Sequence, residues 1–461
     1  MIYEKNRSEK SLDRSLFENP TSEYRAAPFW AWNCRLEHDE LMRQIDIFRE
    51  MGFGGFHMHV RTGLATPYLS DEFMDLVRDC ALHARENNML AWLYDEDRYA
   101  SGPAGGIVTK DRSLRGKRVF FRRDRLDYDA DTDPVLLARY DVKLNDKGDL
   151  VSYRMLDDSE KDEAEGTLWY AYRTLEPSEP WHNGQAYIDA MNPKAVDRFL
   201  EVTHEKYYEK VGDLFGGTVP AIFTDEPHFN TDRPLAFAKE SREARIPWTD
   251  DLDASFREKY GVSLLEHLPE LFFEKADGLP SVIRYRFHDH VCDRFSATFA
   301  GRYGAWCEKH GIIMTGHLFG EDTLFNQTSA IGEAMRSYPA FGIPGIDMLV
   351  ANRELTTAKQ TQSVVRQYGK AGMTSELYGV TNWDFDFRGF KLYGDWQAAL
   401  GVTVRVPHLS WVSMKGEAKR DYPGSISYQS PYYPEFGYVE DHFARVNTAL
   451  TRGKAMVRIG V

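Results

Sequence analysis

Two adjacent carboxylates, Asp225 and Glu226, come directly after an apolar stretch of strand character in the segment VPAIFTDEPHF (219–229). A carboxylate at the end of a buried strand has a low-dielectric environment on one side, which raises its pKa and suits it to donate a proton. A second acid, Glu376, lies at the end of another predicted strand, in TSELYG (374–379). Glycoside hydrolysis uses two carboxyl groups that flank the bond to be cleaved. We therefore predict Glu226 as general acid and Glu376 as nucleophile or general base, the alternative for either being a structural ion pair or helix cap. Asp225 is expected to orient a neighbour or to bind a sugar hydroxyl.

Bringing these acids together requires parallel strands whose carboxyl ends meet on one face. Short apolar stretches alternate with amphipathic helical stretches along the chain, which is typical of parallel βα units. Eight such units predict an α/β fold, a (β/α)8 TIM barrel, with its active site at the carboxyl ends of the strands. A doubly wound open sheet is the competing fold, but no GxGxxG motif follows any early strand. The predicted strands lie at 26–33, 54–61, 89–97, 221–227, 311–322, 345–352, 372–379 and 402–411.

The segment after the third predicted strand departs from this pattern. It contains alternating strands such as KRVFFRRD and TLWYAYRTL joined by polar turns, which predicts an antiparallel β-rich insertion. Loops that follow barrel strands lie on the active-site face, so the insertion is expected to cover the pocket. The final segment, GKAMVRIGV, predicts a buried strand that would lead into a further domain. The predicted units are an N-terminal extension (1–24), barrel units 1–3 (25–106), the insertion (107–190), barrel units 4–8 (191–455) and the start of a truncated domain (456–461).

Every predicted barrel strand also ends in polar or aromatic residues that suit a sugar. Aromatic rings stack on the C–H faces of a pyranose, and a small number of polar groups fix its hydroxyls. For any single Trp the alternative is ordinary core packing, and for any single His it is a hydrogen-bonded structural role. Metal ligands are left unassigned. Besides Asp225, the predicted substrate-binding residues are Trp30, Trp32, Asn33, His57, His59, Arg61, Tyr94, Asp95, Glu96, His317, Asp347, Tyr378, His408 and Trp411.

Composition and charge argue against several other classes of partner. The 461 residues include 57 Lys and Arg against 71 Asp and Glu, and the formal charge of −14 disfavours a nucleic acid or an anionic membrane surface. The four cysteines are scattered without a CxxC pair, so neither a disulfide framework nor a structural zinc site is predicted. The N-terminus lacks an apolar signal core, and no run of 18 apolar residues occurs. We therefore expect a soluble cytoplasmic protein that acts on a carbohydrate, with its oligomeric state undetermined.

The motifs taken together resemble a known family. WAWN (30–33), YDED followed by SG (94–102) and FTDEPHF (223–229), with SELYG and VPHLSW, are similar to α-L-rhamnosidase-type enzymes of glycoside hydrolase family 106, over about residues 25–455. The resemblance implies a (β/α)8 catalytic barrel with β-rich accessory domains, a glutamate pair that falls on Glu226 and Glu376, and a calcium ion near the sugar site. Retaining barrel glycosidases carry Asn before the acid, where this chain has Asp225, so retention is not inferred.

Two other functions stay open at this stage. His57 and His59 alternate on one strand, which is typical of metal-dependent hydrolases of the amidohydrolase type. Here the pair lies on the second strand instead of the first, and the sixth predicted strand has no histidine. The second alternative is a non-catalytic carbohydrate-binding barrel, against which the presence of both glutamates argues.

Overall fold

The computed structural model describes residues 2–157, 159–160, 164–229, 243–349, 354–416, 422 and 424–460. The strands within these residues are β1 (Phe29–Trp32), β2 (Gly55–Val60), β3 (Leu90–Tyr94), β4 (Lys117–Arg122), β5 (Val135–Leu144), β6 (Leu150–Met155), β7 (Thr167–Leu175), β8 (Ala221–Asp225), β9 (Ala244–Trp248), β10 (Ile313–His317), β11 (Ile343–Asp347), β12 (Thr374–Leu377), β13 (Val404–Pro407) and β14 (Ser410–Trp411). The α-helices are α1 (Glu4–Ser8), α2 (Arg14–Glu18), α3 (His38–Glu50), α4 (Asp71–Glu86), α5 (Pro193–Val202), α6 (His204–Val211), α7 (Leu252–Tyr260), α8 (Val282–Phe295), α9 (Arg302–His310), α10 (Leu324–Ala330), α11 (Ala334–Ser337), α12 (Thr356–Tyr368), α13 (Phe387–Ala399) and α14 (Gly437–Leu450).

Nine strands form one parallel sheet that closes on itself. Its order is β13-β12-β11-β10-β8-β3-β2-β1-β14, and every neighbouring pair is parallel. Two residues separate β13 from β14, so these are the two halves of an eighth strand that joins β12 on one side and β1 on the other. The predicted (β/α)8 barrel is confirmed, and the doubly wound sheet is excluded. Of the predicted strand positions, the sixth is the one displaced: β11 begins at Ile343, and residues 350–352 of that prediction lie outside the described part of the chain.

Helices pack on the outside of the barrel through their apolar faces. In α4 the Ser70 hydroxyl caps the first turn by accepting the Phe73 N–H at 3.2 Å, as an N-cap serine does. The buried face of α4 then recurs at Phe73, Val77, Cys80 and Ala84, which is helical spacing. These side chains belong to the same hydrophobic cluster as the outward-facing residues of the strands. The helices thereby hold the strands in the register that sets the positions of the strand ends.

Alternation along each strand decides which side chains reach the barrel interior. On β1, Phe29 and Ala31 belong to the interior cluster, whereas Trp30 and Trp32 belong to the outer cluster beneath the helices. On β8, Phe223 is interior, and its ring lies edge-on to Phe29 with centroids 4.9 Å apart. The next interior position on β8, one layer closer to the carboxyl ends, is Asp225. The apolar layer therefore forms the floor beneath the acids.

The β-rich insertion forms a second, antiparallel sheet, as predicted, but it is built from two parts of the chain. Its order is β6-β5-β7-β4-β9, and β9, which follows β8 in sequence, pairs with β4. The prediction did not include β9, because it took the insertion to end at residue 190. The Phe121 ring stacks between Trp169 and Phe272, at centroid distances of 4.8 and 4.4 Å, and forms the centre of this sheet's core.

The N-terminal extension packs against the barrel, whereas the last described residues are exposed. In the N-terminal extension, the Tyr3 hydroxyl donates to the Thr403 carbonyl at 3.2 Å, so the extension packs beside the start of β13. Residues 454–460 are exposed and form no strand in this chain; Val461 lies outside the described residues, and the predicted further domain stays a prediction. None of the helices in the described ranges combines the length and apolar character needed to cross a bilayer.

Candidate active site

Four neighbouring strands deliver polar side chains to one layer at their carboxyl ends. His317 pairs in register with Asp225, and Asp347 pairs in register with Glu376, across β8, β10, β11 and β12. Ligand-capable atoms of Asp225, His317 and Glu376 lie within 4.8 Å of one another, and so do those of Glu226, His317 and Asp347. The two predicted catalytic glutamates, 150 residues apart in sequence, therefore both come within 4.8 Å of one imidazole.

His317 is the centre of this cluster. Its Nε2 lies 3.1 Å from Asp225 Oδ1 and 3.8 Å from Glu376 Oε2, and the ring is buried. Burial alone would lower the pKa of the imidazole, but the hydrogen bond to Asp225 and the charges of Asp225 and Glu376 raise it well above 6.5. A protonated His317 forms an ion pair with Asp225 and places a positive charge beside Glu376.

Glu226 lies on the open side of the cluster. Its backbone has a φ of 51°, a left-handed conformation that costs a non-glycine residue about 1–2 kcal/mol and is typical of functional sites. Burial, and then the charge of Asp225, raise the pKa of Glu226 to about 8. Within the described residues Glu226 makes no ion pair. Its carboxyl group is therefore protonated near neutral pH, the state that a general acid requires.

Glu376 has two imidazoles on its two oxygens. His408 Nε2 lies 3.5 Å from Oε1, and His317 Nε2 lies 3.8 Å from Oε2. Burial, and then Arg61, lower the pKa of His408 well below 6.5, so this second ring is neutral. Burial, and then the charges of Asp347 and Asp225, raise the pKa of Glu376 well above its usual value, and the protonated His317 opposes that rise. Neighbouring buried carboxylates do not all ionise together, and His317, 3.8 Å from Glu376, is the group that favours the ionised form of this carboxyl group.

A second set of hydrogen bonds holds the cluster in place. The Tyr94 hydroxyl donates to Asp225 Oδ2 at 2.7 Å, which leaves Oδ1 for His317. Glu321 Oε1 accepts the backbone N–H of Asp347 at 2.7 Å, and the Tyr338 hydroxyl donates to the same carboxyl group. Asp225 and Tyr94 lie at the ends of β8 and β3, and their contacts are those of groups that orient His317.

Two of the predicted substrate-binding acids are instead satisfied inside the protein. Asp95 accepts from the Ser101 hydroxyl at 2.6 Å and the Tyr303 hydroxyl at 3.0 Å, and is fully buried. Glu96 accepts the backbone N–H groups of Gly102 and Ala104 at 2.9 and 2.8 Å. Burial raises the pKa of Asp95 to about 7 and that of Glu96 to about 8. The YDED…SG motif therefore shapes the loop after β3, and these acids do not face a substrate.

Four further predicted contacts lie away from the barrel mouth. Trp30 donates to Gln44 Oε1 at 2.8 Å beneath α3, and Trp32 packs on Phe73 of α4 with centroids 5.3 Å apart. Tyr378 packs on Phe390 of α13 at 4.8 Å. The Asn33 amide exchanges hydrogen bonds with the Ser413 backbone at 2.7 and 3.0 Å, which ties two loops together. Trp30 and Trp32 point outward because of strand alternation. Tyr378 lies beyond the end of β12, where its φ of 69° breaks the alternation, so none of these four is carried into the proposed site.

The remaining predicted residues lie on the β1–β2–β14 side. His57 Nδ1 contacts the Ala27 carbonyl at 2.9 Å in the floor of the barrel, and the His59 ring lies 4.1 Å from the Tyr94 ring one layer higher. Neither histidine belongs to a group of candidate metal ligands among the described residues, which argues against an amidohydrolase-type centre. Trp411 is buried on the interior side, with the Arg61 guanidinium 5.8 Å from its ring.

The family resemblance implies a calcium ion near the sugar site, and the two three-residue groups are the candidate ligands for it. Each three-residue group consists of two carboxylates and the His317 imidazole, whereas Ca²⁺ takes six to eight oxygen ligands and imidazole suits transition metals. One group contains Glu226 and the other Glu376. A cation bound to Glu226 would hold it ionised and remove the proton that a general acid needs. Neither of these two groups therefore offers the ligand set that a calcium ion prefers.

A cavity of about 380 Å³ opens beside Glu226, between the loops that follow barrel strands β3, β8 and β10 and residues of the insertion. Sequence reasoning placed the insertion above the pocket but did not single out its contacts, because turn residues such as those of PWHNGQ carry no periodic signal. Their signal was composition: a tryptophan and a histidine in a surface turn. The side chains that line the cavity include Tyr99, Arg118, Glu176, Glu179, Trp181, His182, Tyr187, Glu226, His228 and Phe319.

Comparisons with known proteins are consistent with this architecture. No protein-family profile matches the chain. A protein of Formosa agariphila described as "Putative beta-glucuronidase" is 22% identical over 275 residues, which cover 58% of this chain and 22% of that protein. The structure of a rhamnosidase from Novosphingobium sp. PP1Y superposes with a TM-score of 0.67 at 14% identity, over 97% of this chain and 61% of that one. The chain thus spans about a fifth of the curated relative and three fifths of the solved one. In fold, it is similar to the rhamnosidase.

Proposed function

We propose that this chain is the catalytic barrel of a glycoside hydrolase. The observation that carries the proposal is the pair Glu226 and Glu376, delivered by different strands to one buried imidazole, with Glu226 beside the cavity as the proposed proton donor and Glu376 closer to His317 as the proposed anion. Glycosidases need this division of roles between two carboxyl groups. The similarity in fold to a rhamnosidase, and in sequence to a protein described as a glucuronidase, supports the same class of reaction.

In the proposed mechanism Glu226 protonates the glycosidic oxygen as the bond breaks. Glu376 attacks the anomeric carbon or activates a water molecule for that attack. The protonated His317 stabilises the charge on Glu376, and Asp225, itself held by Tyr94, fixes the imidazole in place. No step is assigned to a metal ion.

The sugar is a finer proposal. Aryl α-L-rhamnosides are the first substrates to test, because the family resemblance and the solved structure both point to them. Aryl β-D-glucuronides are second, because of the curated relative. The anomer of the first product, followed by NMR, separates retention from inversion.

The experiment that tests the proposal is a leaving-group series with Glu226→Gln and Glu376→Gln. Glu226→Gln should lower activity on poor leaving groups by about 10²–10⁴-fold, the usual contribution of general acid catalysis, and much less on good ones. Glu376→Gln should lose activity on every leaving group. Glu333→Gln, the same change at an exposed position, serves as control. Unchanged activity of Glu226→Gln on a poor leaving group would reject the assignment.

A further inference from the structure

We propose that the 380 Å³ cavity beside Glu226 is the leaving-group subsite, and that it accepts a neutral ring, either a second sugar or an aromatic aglycone. This inference rests on the proposed function. The volume of the cavity lies within the range of small-molecule binding sites, about 300–1,000 Å³.

The position of the cavity assigns it to the leaving group. A general acid contacts the oxygen that departs, so the departing group lies on the side of the acid that faces away from the nucleophile. Of the two catalytic glutamates, both within the described residues, Glu226 lines the cavity and Glu376 does not. Glu376 is held among His317 and His408 inside the barrel. The sugar whose bond is cleaved therefore occupies the barrel mouth, and the cavity takes what leaves.

Aromatic side chains form much of the wall. Trp181 of the insertion is fixed because its indole N–H donates to the Tyr99 carbonyl, and its side chain remains 37% exposed. The Arg98 guanidinium lies 5.5 Å from the Trp181 ring, and the Tyr99 ring packs edge-on at 5.3 Å. Fixed aromatic faces of this kind suit flat apolar surfaces, such as a pyranose C–H face or an aryl ring.

A second aromatic group comes from the barrel side. Phe319, in the loop after β10, packs against His228 with centroids 5.2 Å apart, and His228 stacks on Tyr187 at 4.2 Å. Burial lowers the pKa of His228 to about 3, so this imidazole is neutral. The stack therefore presents apolar surface to the cavity.

The charges of the wall disfavour an anionic leaving group. Arg118 forms an ion pair with Glu176, and the wall also carries Glu179 and Glu226. His182 is neutral, because burial lowers its pKa to about 4. With Arg118 and Glu176 paired and Glu226 protonated, Glu179 supplies the remaining negative charge of the wall, so a phosphate or uronate would meet repulsion. A neutral ring with hydroxyl groups would instead find donors and acceptors in these polar side chains.

The test compares three substrates that share one glycone: a glycosyl fluoride, an aryl glycoside and a disaccharide. Fluoride is too small to contact the wall. Trp181→Ala should therefore lower kcat/KM by about 10–100-fold on the disaccharide, the aryl glycoside or both, and by no more than about twofold on the fluoride. Trp181→Phe, which keeps a ring, should recover most of the loss. Tyr285→Ala, at an exposed aromatic of α8, is the control.

Each outcome has one reading. A loss on the disaccharide identifies a sugar as the natural leaving group, and a loss confined to the aryl glycoside identifies an aromatic one. Equal losses on all three substrates, or no loss on any, would overturn the subsite. If the wild-type chain cleaves no fluoride in a panel of glycones, the proposed function itself is wrong and the subsite falls with it.

Discussion

Replacing His317 with glutamine tests the charge arrangement on which the mechanism depends. Glutamine keeps a donor for Asp225 but carries no charge, so Glu376 loses its positive neighbour. His317 and Glu376 are almost completely buried, with side-chain exposures of 1% and 8%, so solvent screens their interaction little.

The size of the effect follows from the distance between the two groups. Nε2 of His317 and Oε2 of Glu376 are 3.8 Å apart. Unit charges about 4 Å apart attract by about 4 kcal/mol at an effective dielectric constant of 20. That energy corresponds to about 3 pKa units. The pKa of Glu376 should therefore rise in His317→Gln by a unit or more, up to about this limit.

The sign of the change can be read from a pH profile. A nucleophile or base must be ionised, so a higher pKa of Glu376 moves the acid limb of kcat/KM to higher pH. The charge of His317 also lowers the pKa of Glu226, so the basic limb should move in the same direction, but by less because Glu226 makes no ion pair among the described residues. The pH profile of the variant should therefore move to higher pH, become narrower and have a lower maximal kcat/KM.

The assay is kcat/KM from pH 4 to pH 10 on an aryl glycoside with a good leaving group, which reduces the dependence on Glu226. His408→Gln is the matched control: it removes an imidazole at 3.5 Å from the other Glu376 oxygen, but a neutral one. It should leave the acid limb in place. An unmoved acid limb in His317→Gln, or an equal shift in both variants, would refute the reasoning.

Three other predictions concern metal dependence and stability. Exhaustive chelation should leave activity unchanged, since neither three-residue group offers the ligand set that calcium prefers; loss of activity with recovery on adding Ca²⁺ would reverse that conclusion. Glu440→Gln should lower the free energy of unfolding, measured by urea denaturation, by about 3–5 kcal/mol. The reason is that the buried Arg405, 2.7 Å from Glu440, loses its ion-pair partner. Asp441→Asn, which removes the acid of a partly exposed ion pair, should lower the free energy of unfolding by about 1 kcal/mol or less. Gly316→Ala should destabilise the barrel far more than Gly261→Ala. Both glycines have positive φ, but a Cβ at 316 would overlap a backbone carbonyl oxygen of β8, while at 261 nothing lies within 4 Å.

The barrel was predictable because its signals are local and repeated. Each strand is a short apolar run, each helix has one apolar face, and eight repeats leave few alternative folds. The strands of the insertion were harder to predict from the sequence. β9 (244–248) was missed because its pairing with β4 joins segments more than 120 residues apart, and no local pattern reports such a contact.

For the candidate site, the sequence indicated which layer the residues occupy better than which way they point. Glu226, Glu376, Asp225 and His317 were all placed at strand ends, and the structure brings them together. Trp30 and Trp32 were misplaced, because an all-apolar strand such as FWAW does not reveal which alternate residues face the interior. The contacts of Asp95 and Glu96 depend on loop conformation, which residue types alone do not determine.

Because β9 pairs with β4, the second sheet contains strands from both sides of β8 in the sequence. Residues 107–190 are therefore not an independent unit that can be deleted from this barrel, or exchanged with a homologous one, without β9. Removing them would leave β9 without its pairing strand β4, so a recombination designed to alter leaving-group preference must transfer both segments together.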